Sequence, residues 1–168
     1  MAPRSQSAAI IVQDQISVRT GKPSVGESTH RTSTPKHQTM HIDHVALWTN
    51  DIERCKQFYV TYFGATAGTR YVNPKKGFES CFLSFANGAR IEAMKTTVLT
   101  PAVFEPGAQR MGLTHLSIAV GSEQLVDELT KRIKDDGYSV LDEPRRTGDG
   151  YYESVVVDPD GNRVEITA

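Results

Sequence analysis

From residue 42 onward the apolar positions switch between two spacings. In "IDHVALW" (42–48) they recur every second residue, so Val45 and Leu47 share one face of a strand while His44, Ala46 and Trp48 share the other. The spacing then turns helical. Ile52, Cys55, Phe58, Tyr59 and Tyr62 fall on one side of a helix that Asp51 caps and Gly64 ends. Strand-like segments follow, with the turn "ANG" (86–88) leading into "ARIEAM" (89–94). Then the cycle runs again. "LTHLSIAV" (113–120) is strand-like, Ser122 caps a helix carrying Leu125, Val126, Leu129 and Ile133, and Gly137 ends it. The turn "DPDG" (158–161) leads into the last strand, "NRVEIT" (162–167).

The two cycles read as copies of one unit. "NGARIEAM" (87–94) aligns with "DGNRVEIT" (160–167) at an offset of 73, and "IDHVAL" (42–47) with "LTHLSI" (113–118) at an offset of 71. Each unit is a strand, a helix and about three further strands. This predicts an α+β domain of two tandem βαβββ modules, at about 40–96 and 112–168, joined by a linker at about 97–111.

Strand parity then sorts the chemistry. In the unit-ending strands Ile91 and Ala93 oppose Arg90, Glu92 and Met94, and Val164 and Ile166 oppose Arg163, Glu165 and Thr167. In the strand that opens the second unit, Leu116, Ile118 and Val120 oppose His115, Ser117 and Ala119. The aliphatic faces want the helices, so the other faces collect His44, Glu92, His115 and Glu165. Singly, each is ordinary, since a strand histidine is usually a satisfied partial-core residue and a strand glutamate is usually solvated. Jointly, they occupy the same place in each copy, 48 residues apart in one (His44 to Glu92) and 50 in the other (His115 to Glu165). Two imidazoles and two carboxylates make an N/O ligand set for a divalent transition metal, and they lack the thiolates of a structural zinc site. On an octahedral ion they leave two positions for a substrate that chelates through two oxygens.

Bulk properties narrow the setting. The chain has 168 residues, 38% hydrophobic and 23% charged, with a net charge of −1, which gives no footprint for nucleic acid or an anionic membrane surface. No apolar run approaches the roughly 20 residues that span a bilayer. Cys55 and Cys81 have no CxxC spacing, so no disulfide is expected; a reducing, cytoplasmic location fits. Residues 1–39 are rich in Ser, Thr, Gln and Pro and carry five Lys/Arg against two acids. They read as a disordered tail, or as sequence ahead of a start at Met40, with an organellar transit peptide as the remaining alternative.

The segments "HVAL", "FYVTYFGA", "GLTHLSIAV" and "DPDGNRVEI" resemble the vicinal oxygen chelate superfamily over residues 41–168. That group includes glyoxalase I, methylmalonyl-CoA epimerase, extradiol dioxygenases, fosfomycin-resistance thiol transferases and bleomycin-resistance binding proteins. The resemblance implies a curved mixed sheet around a metal-containing cavity, with metal ligands His44, Glu92, His115 and Glu165. The His/Glu/His/Glu set is most similar to bacterial-type glyoxalase I. It implies a lyase or isomerase that stabilises an enediolate, with Glu165 as base and Glu92 as its partner. A methylmalonyl-CoA epimerase-like activity and a non-catalytic small-molecule binder are the alternatives. The glutathione contacts of that type do not carry over: Trp48 stands where an arginine is usual, and Thr96 where an asparagine is usual. The metal is left open among Ni, Co, Zn, Mn and Fe, and a homodimer is implied. Trp48, Tyr152 (or Tyr151) and Arg163 are expected to line the substrate cavity, with Arg90 beside them and residues 95–112 as a lid.

Overall fold

The computed structural model describes residues 40–100 and 111–168; the expected tail and most of the expected lid fall outside them. Module 1 contains β1 (His44–Trp48), α1 (Ile52–Phe63), β2 (Thr66–Ala67), β3 (Tyr71–Asn73), β4 (Phe78–Ser84) and β5 (Arg90–Thr96). Module 2 contains β6 (Leu116–Ala119), α2 (Glu123–Asp135), β7 (Val140–Arg146), β8 (Tyr152–Val157) and β9 (Arg163–Thr167). The protein is α+β, with two curved, open sheets ordered β1-β5-β4-β2 and β6-β9-β8-β7. The two βαβββ modules expected from the repeat each build one sheet. In each, the opening strand lies parallel to the closing strand, which is antiparallel to the strand before it. The second strand of module 1 is broken in two, because the five residues from Ala67 to Tyr71 face four, Ser80 to Leu83, on β4. Gly68 sits in this bulge, where its N–H reaches Phe82 O at 2.8 Å.

The helix ends follow local chemistry. Asp51 accepts hydrogen bonds from the N–H groups of Glu53 and Arg54, and Ser122 accepts one from Leu125. α1 stops at Gly64, whose φ of 64° is left-handed. Past α2, Gly137 takes φ 91°, and the N–H of Tyr138 returns to Ile133 O. The buried side of α2 is Val126, Thr130 and Ile133, with Leu129 packed beside them; Leu125, expected on that stripe, is exposed. Thr130 fits because its hydroxyl meets both Val126 O and Ser154 Oγ at 2.6 Å.

One apolar cluster runs through both modules, from Phe58, Tyr59, Leu83 and Ala93 to Val126, Val156, Val164 and Ile166. Helix α1 joins them. Phe58 stacks edge-on against Tyr138, with ring centres 5.0 Å apart. The hydroxyls of Tyr59 and Tyr62 donate to Asp158 (3.0 Å) and Asp136 (2.6 Å) of module 2, and Arg54 pairs with Asp160 at 3.0 Å. The "DPDG" turn is thus an inter-module pin as well as a turn. Asp158 is 3% exposed and also accepts from Asp160 N, Asn162 N and Asn162 Nδ2. No helix among the described residues is long and apolar enough to cross a membrane.

Candidate metal centre

The strand register makes one His–Glu pair on each sheet. On module 1, Ala46 faces Glu92 across β1 and β5, with His44 one step away on the same face, and His44 Nε2 lies 3.7 Å from Glu92 Oε2. On module 2, Ser117 faces Glu165, and His115 Nε2 lies 3.4 Å from Glu165 Oε2. The copies match in setting too. Each histidine side chain is 38% exposed and each glutamate 16%.

The pairs suit a shared cation. Two donors bonded to one ion at about 2.0–2.2 Å sit roughly 3–3.5 Å apart, and the observed gaps lie at or just beyond that range. The supporting groups agree. Asp43 Oδ2 lies 2.9 Å from His44 Nδ1. A carboxylate only accepts, so Nδ1 is the donor to Asp43, and Nε2 is the nitrogen turned toward Glu92. Hydrogen bonds from His44, then from Arg90, hold the Asp43 carboxyl below its ordinary range. In module 2, Ser117 Oγ donates to Glu165 Oε1 at 2.7 Å and leaves Oε2 toward the histidine. Burial first, then the Glu165 charge, raises the Glu153 carboxyl.

The pairs do not converge within one chain. No group of three or more His, Cys, Asp or Glu side chains gathers among the described residues. The four expected ligands, His44, Glu92, His115 and Glu165, thus stand as two pairs in one chain. α1 draws the two aliphatic faces into a common core, while on the opposite faces the histidines stay partly exposed and the glutamates mostly covered. A cavity of about 720 Å³ opens elsewhere, lined by Ile42, Val45, Leu116, Ile118 and Leu129 and by none of the four ligand candidates.

The remaining expected site residues divide. Trp48 shares the His44 face and is 48% exposed. Arg163 shares the Glu165 face and is half-buried. Arg90 pairs with Asp43 and lies over the Phe82 ring at 4.3 Å. Tyr152 is corrected to the opposite face, with Ser154 and Val156, where its hydroxyl donates to Asp127 of α2 at 2.8 Å. Glu153 takes the inward place beside it. Asp43, Phe82 and Glu153 were not picked out from the sequence. Strand parity carries a signal for Phe82, directly across from Glu92, and none for Asp43, which precedes the strand.

The fold and the duplicated His–Glu pair define a class. The family model of the Glyoxalase/Bleomycin resistance protein/Dioxygenase superfamily matches residues 41–166, and the chain belongs to that superfamily. The Bacillus subtilis (strain 168) protein YqjT, itself uncharacterised, is 29% identical over 130 residues, which is 76% of this chain and 98% of YqjT. Glyoxalase I from Zea mays shares the fold at 22% identity and a TM-score of 0.62, over 76% of this chain. This chain covers only 44% of that enzyme. A glyoxylase/bleomycin resistance protein/dioxygenase domain from Frankia sp. EAN1pec matches at 19% identity and a TM-score of 0.64, over 77% of this chain and 97% of that one.

Proposed function

We propose that the protein is a divalent-metal-dependent lyase or isomerase of the glyoxalase I-like type, acting on a small substrate that chelates through two oxygens. The observation that carries this is the duplicated pair, His44–Glu92 and His115–Glu165, each with an imidazole Nε2 facing a carboxylate oxygen. A bound divalent ion would act as a Lewis acid, acidifying the C–H beside a carbonyl. Glu165 is the base that takes this proton and returns it to the neighbouring carbon, and Glu92 is its partner. Ser117 holds Oε1 of Glu165 at 2.7 Å and leaves Oε2 turned toward His115, on the side where the ion would be held. The same chemistry admits an epimerase.

Each complete site in this proposal joins the two pairs across a homodimer. The edges support that reading. β1 and β6 each end a sheet and carry neither Pro nor Lys, whereas the outer edge β7 holds Pro144 and several charges and β2 is only two residues long. The test is complementation. A His44→Ala/Glu92→Gln chain is mixed with a His115→Ala/Glu165→Gln chain under conditions that exchange subunits. A shared site restores one intact ligand set per mixed dimer, so metal binding returns to about half the wild-type level in the mixed dimer and to about a quarter in a freely exchanged equimolar mixture. No recovery on mixing, with both variants folded and subunits exchanged, would defeat the shared site. Absence of any divalent ion in the wild type would defeat the enzyme reading and favour a small-molecule binder.

A further inference from the structure

The repeat supplies its own control for what the ligand faces need. Around Glu92, module 1 presents Trp48 on β1, Phe82 on β4 and Tyr71 on β3. The same places around Glu165 hold Ala119, Val155 and Arg145. Where module 1 has the small Ser80, module 2 has Glu153. Both faces belong to the same fold with the same His–Glu geometry, so the fold does not require rings there. Module 1 is aromatic at positions where module 2 is small or charged.

Those rings form a trough. Trp48, Met94, Ser80 and Tyr71 lie in one row across four strands, and Phe78 stands behind them. Trp48 and Tyr71 each meet Phe78, with ring centres 6.4 and 6.2 Å apart. Ser80 is a buried floor, 4% exposed, while Trp48 and Tyr71 keep 48% and 54% of their surface at the rim. Ala46, directly across from Glu92 and between His44 and Trp48 on the same face, is exposed and carries only a methyl group. Two large aromatic side chains left exposed on either side of a floor of small and flexible residues mark a binding surface. The trough begins one residue pair from Glu92, about 7 Å along the strand.

We infer that the substrate carries an aryl group, seated between Trp48 and Tyr71 of module 1, with its vicinal oxygens at the His–Glu pairs and its polar end toward Arg163 and Glu153 of module 2. This rests on the proposed metal site, and the test separates the two. Mandelate and lactate both present a carboxylate and an adjacent hydroxyl, and differ in phenyl against methyl. Each is titrated into the metal-loaded full chain, read by the fluorescence of Trp48, the single tryptophan, and by calorimetry. Mandelate is expected to bind about tenfold or more tighter than lactate, and to perturb Trp48 emission where lactate does not. Tyr71→Ala and Trp48→Ala, each folded by circular dichroism, are expected to bring the calorimetric ratio close to one. Equal affinity for the two acids, or a ratio unmoved by both substitutions, would overturn the inference. Chelating the metal is expected to weaken both acids by a similar factor. If chelation changes neither acid while the phenyl preference and its loss in Tyr71→Ala remain, the trough stands and the metal reading fails.

Discussion

Tyr59→Phe tests how the two modules are held together. The substitution keeps the ring, which stacks edge-on against Phe58 at 5.2 Å, and removes only the hydroxyl that donates to Asp158 Oδ2 at 3.0 Å. Both residues are buried, Tyr59 at 0% and Asp158 at 3% exposure, so water does not replace the lost donor. Asp158 Oδ2 keeps its bond from Asn162 Nδ2 at 2.9 Å, so the loss is that of one buried hydrogen bond, about 0.5–1.5 kcal/mol, which for a domain of this size lowers Tm by roughly 1–6 °C. The pH dependence sharpens the test. Burial raises the Asp158 carboxyl above its ordinary range and outweighs the hydrogen bonds that favour its charged form. A carboxyl raised by folding contributes stability that is complete below its unfolded value, about 3.9, and lost as pH rises through the raised folded value. Removing the Tyr59 donor raises the carboxyl further, so the variant's deficit grows from pH 4 to pH 7. Urea unfolding of both proteins across that range measures it. A deficit under about 0.5 kcal/mol at every pH, or one that shrinks toward neutrality, would refute the reasoning.

Ser117→Ala and Asp43→Asn remove groups that orient Glu165 and His44. Each is expected to weaken metal binding about 10–100-fold with little change in Tm, measured by competition with a chromogenic chelator. Asp51→Ala strips two backbone N–H groups of their acceptor at the start of α1. It is expected to cost about 0.5–2 kcal/mol in urea unfolding, recovered in large part by Asp51→Ser. Burial, then the Asp158 charge, pushes the Cys55 thiol up to about 12, and Cys81 is 2% exposed. Neither thiol is expected to react with a disulfide reagent at pH 8 until the protein is unfolded, when both react.

Local physics made much of the fold legible. Asp51, Ser122, Gly64 and Gly137 marked the helix ends because caps and left-handed positions depend on near neighbours. The His44 and Glu92 faces, and their copies, followed from alternation because the flanking aliphatic residues anchored the parity. Tyr152 went to the wrong face where that anchor fails. "YYESVVV" ends in an unbroken apolar run that fits either parity, and only pairing with β9 turns Val155 and Glu153 inward. The joining of the modules through α1 was not legible. Tyr59 read as another core aromatic and Asp158 as turn chemistry, and their contact spans 99 residues. The same long-range packing parts the two His–Glu faces, which repeat alignment alone could not reveal. The aromatic trough needed the cross-strand register, since Trp48, Tyr71 and Phe78 lie on separate strands.

Whether the His–Glu pairs hold a divalent ion is decided by metal analysis of the purified full chain. Protein prepared without added chelator is measured by mass spectrometry of its metals, beside Glu92→Gln and Glu165→Gln variants matched for folding by circular dichroism. Close to one ion per chain is expected in the wild type and less than about a tenth of that in each variant. A wild type without a divalent ion even after loading, or variants that keep the full complement, would contradict it.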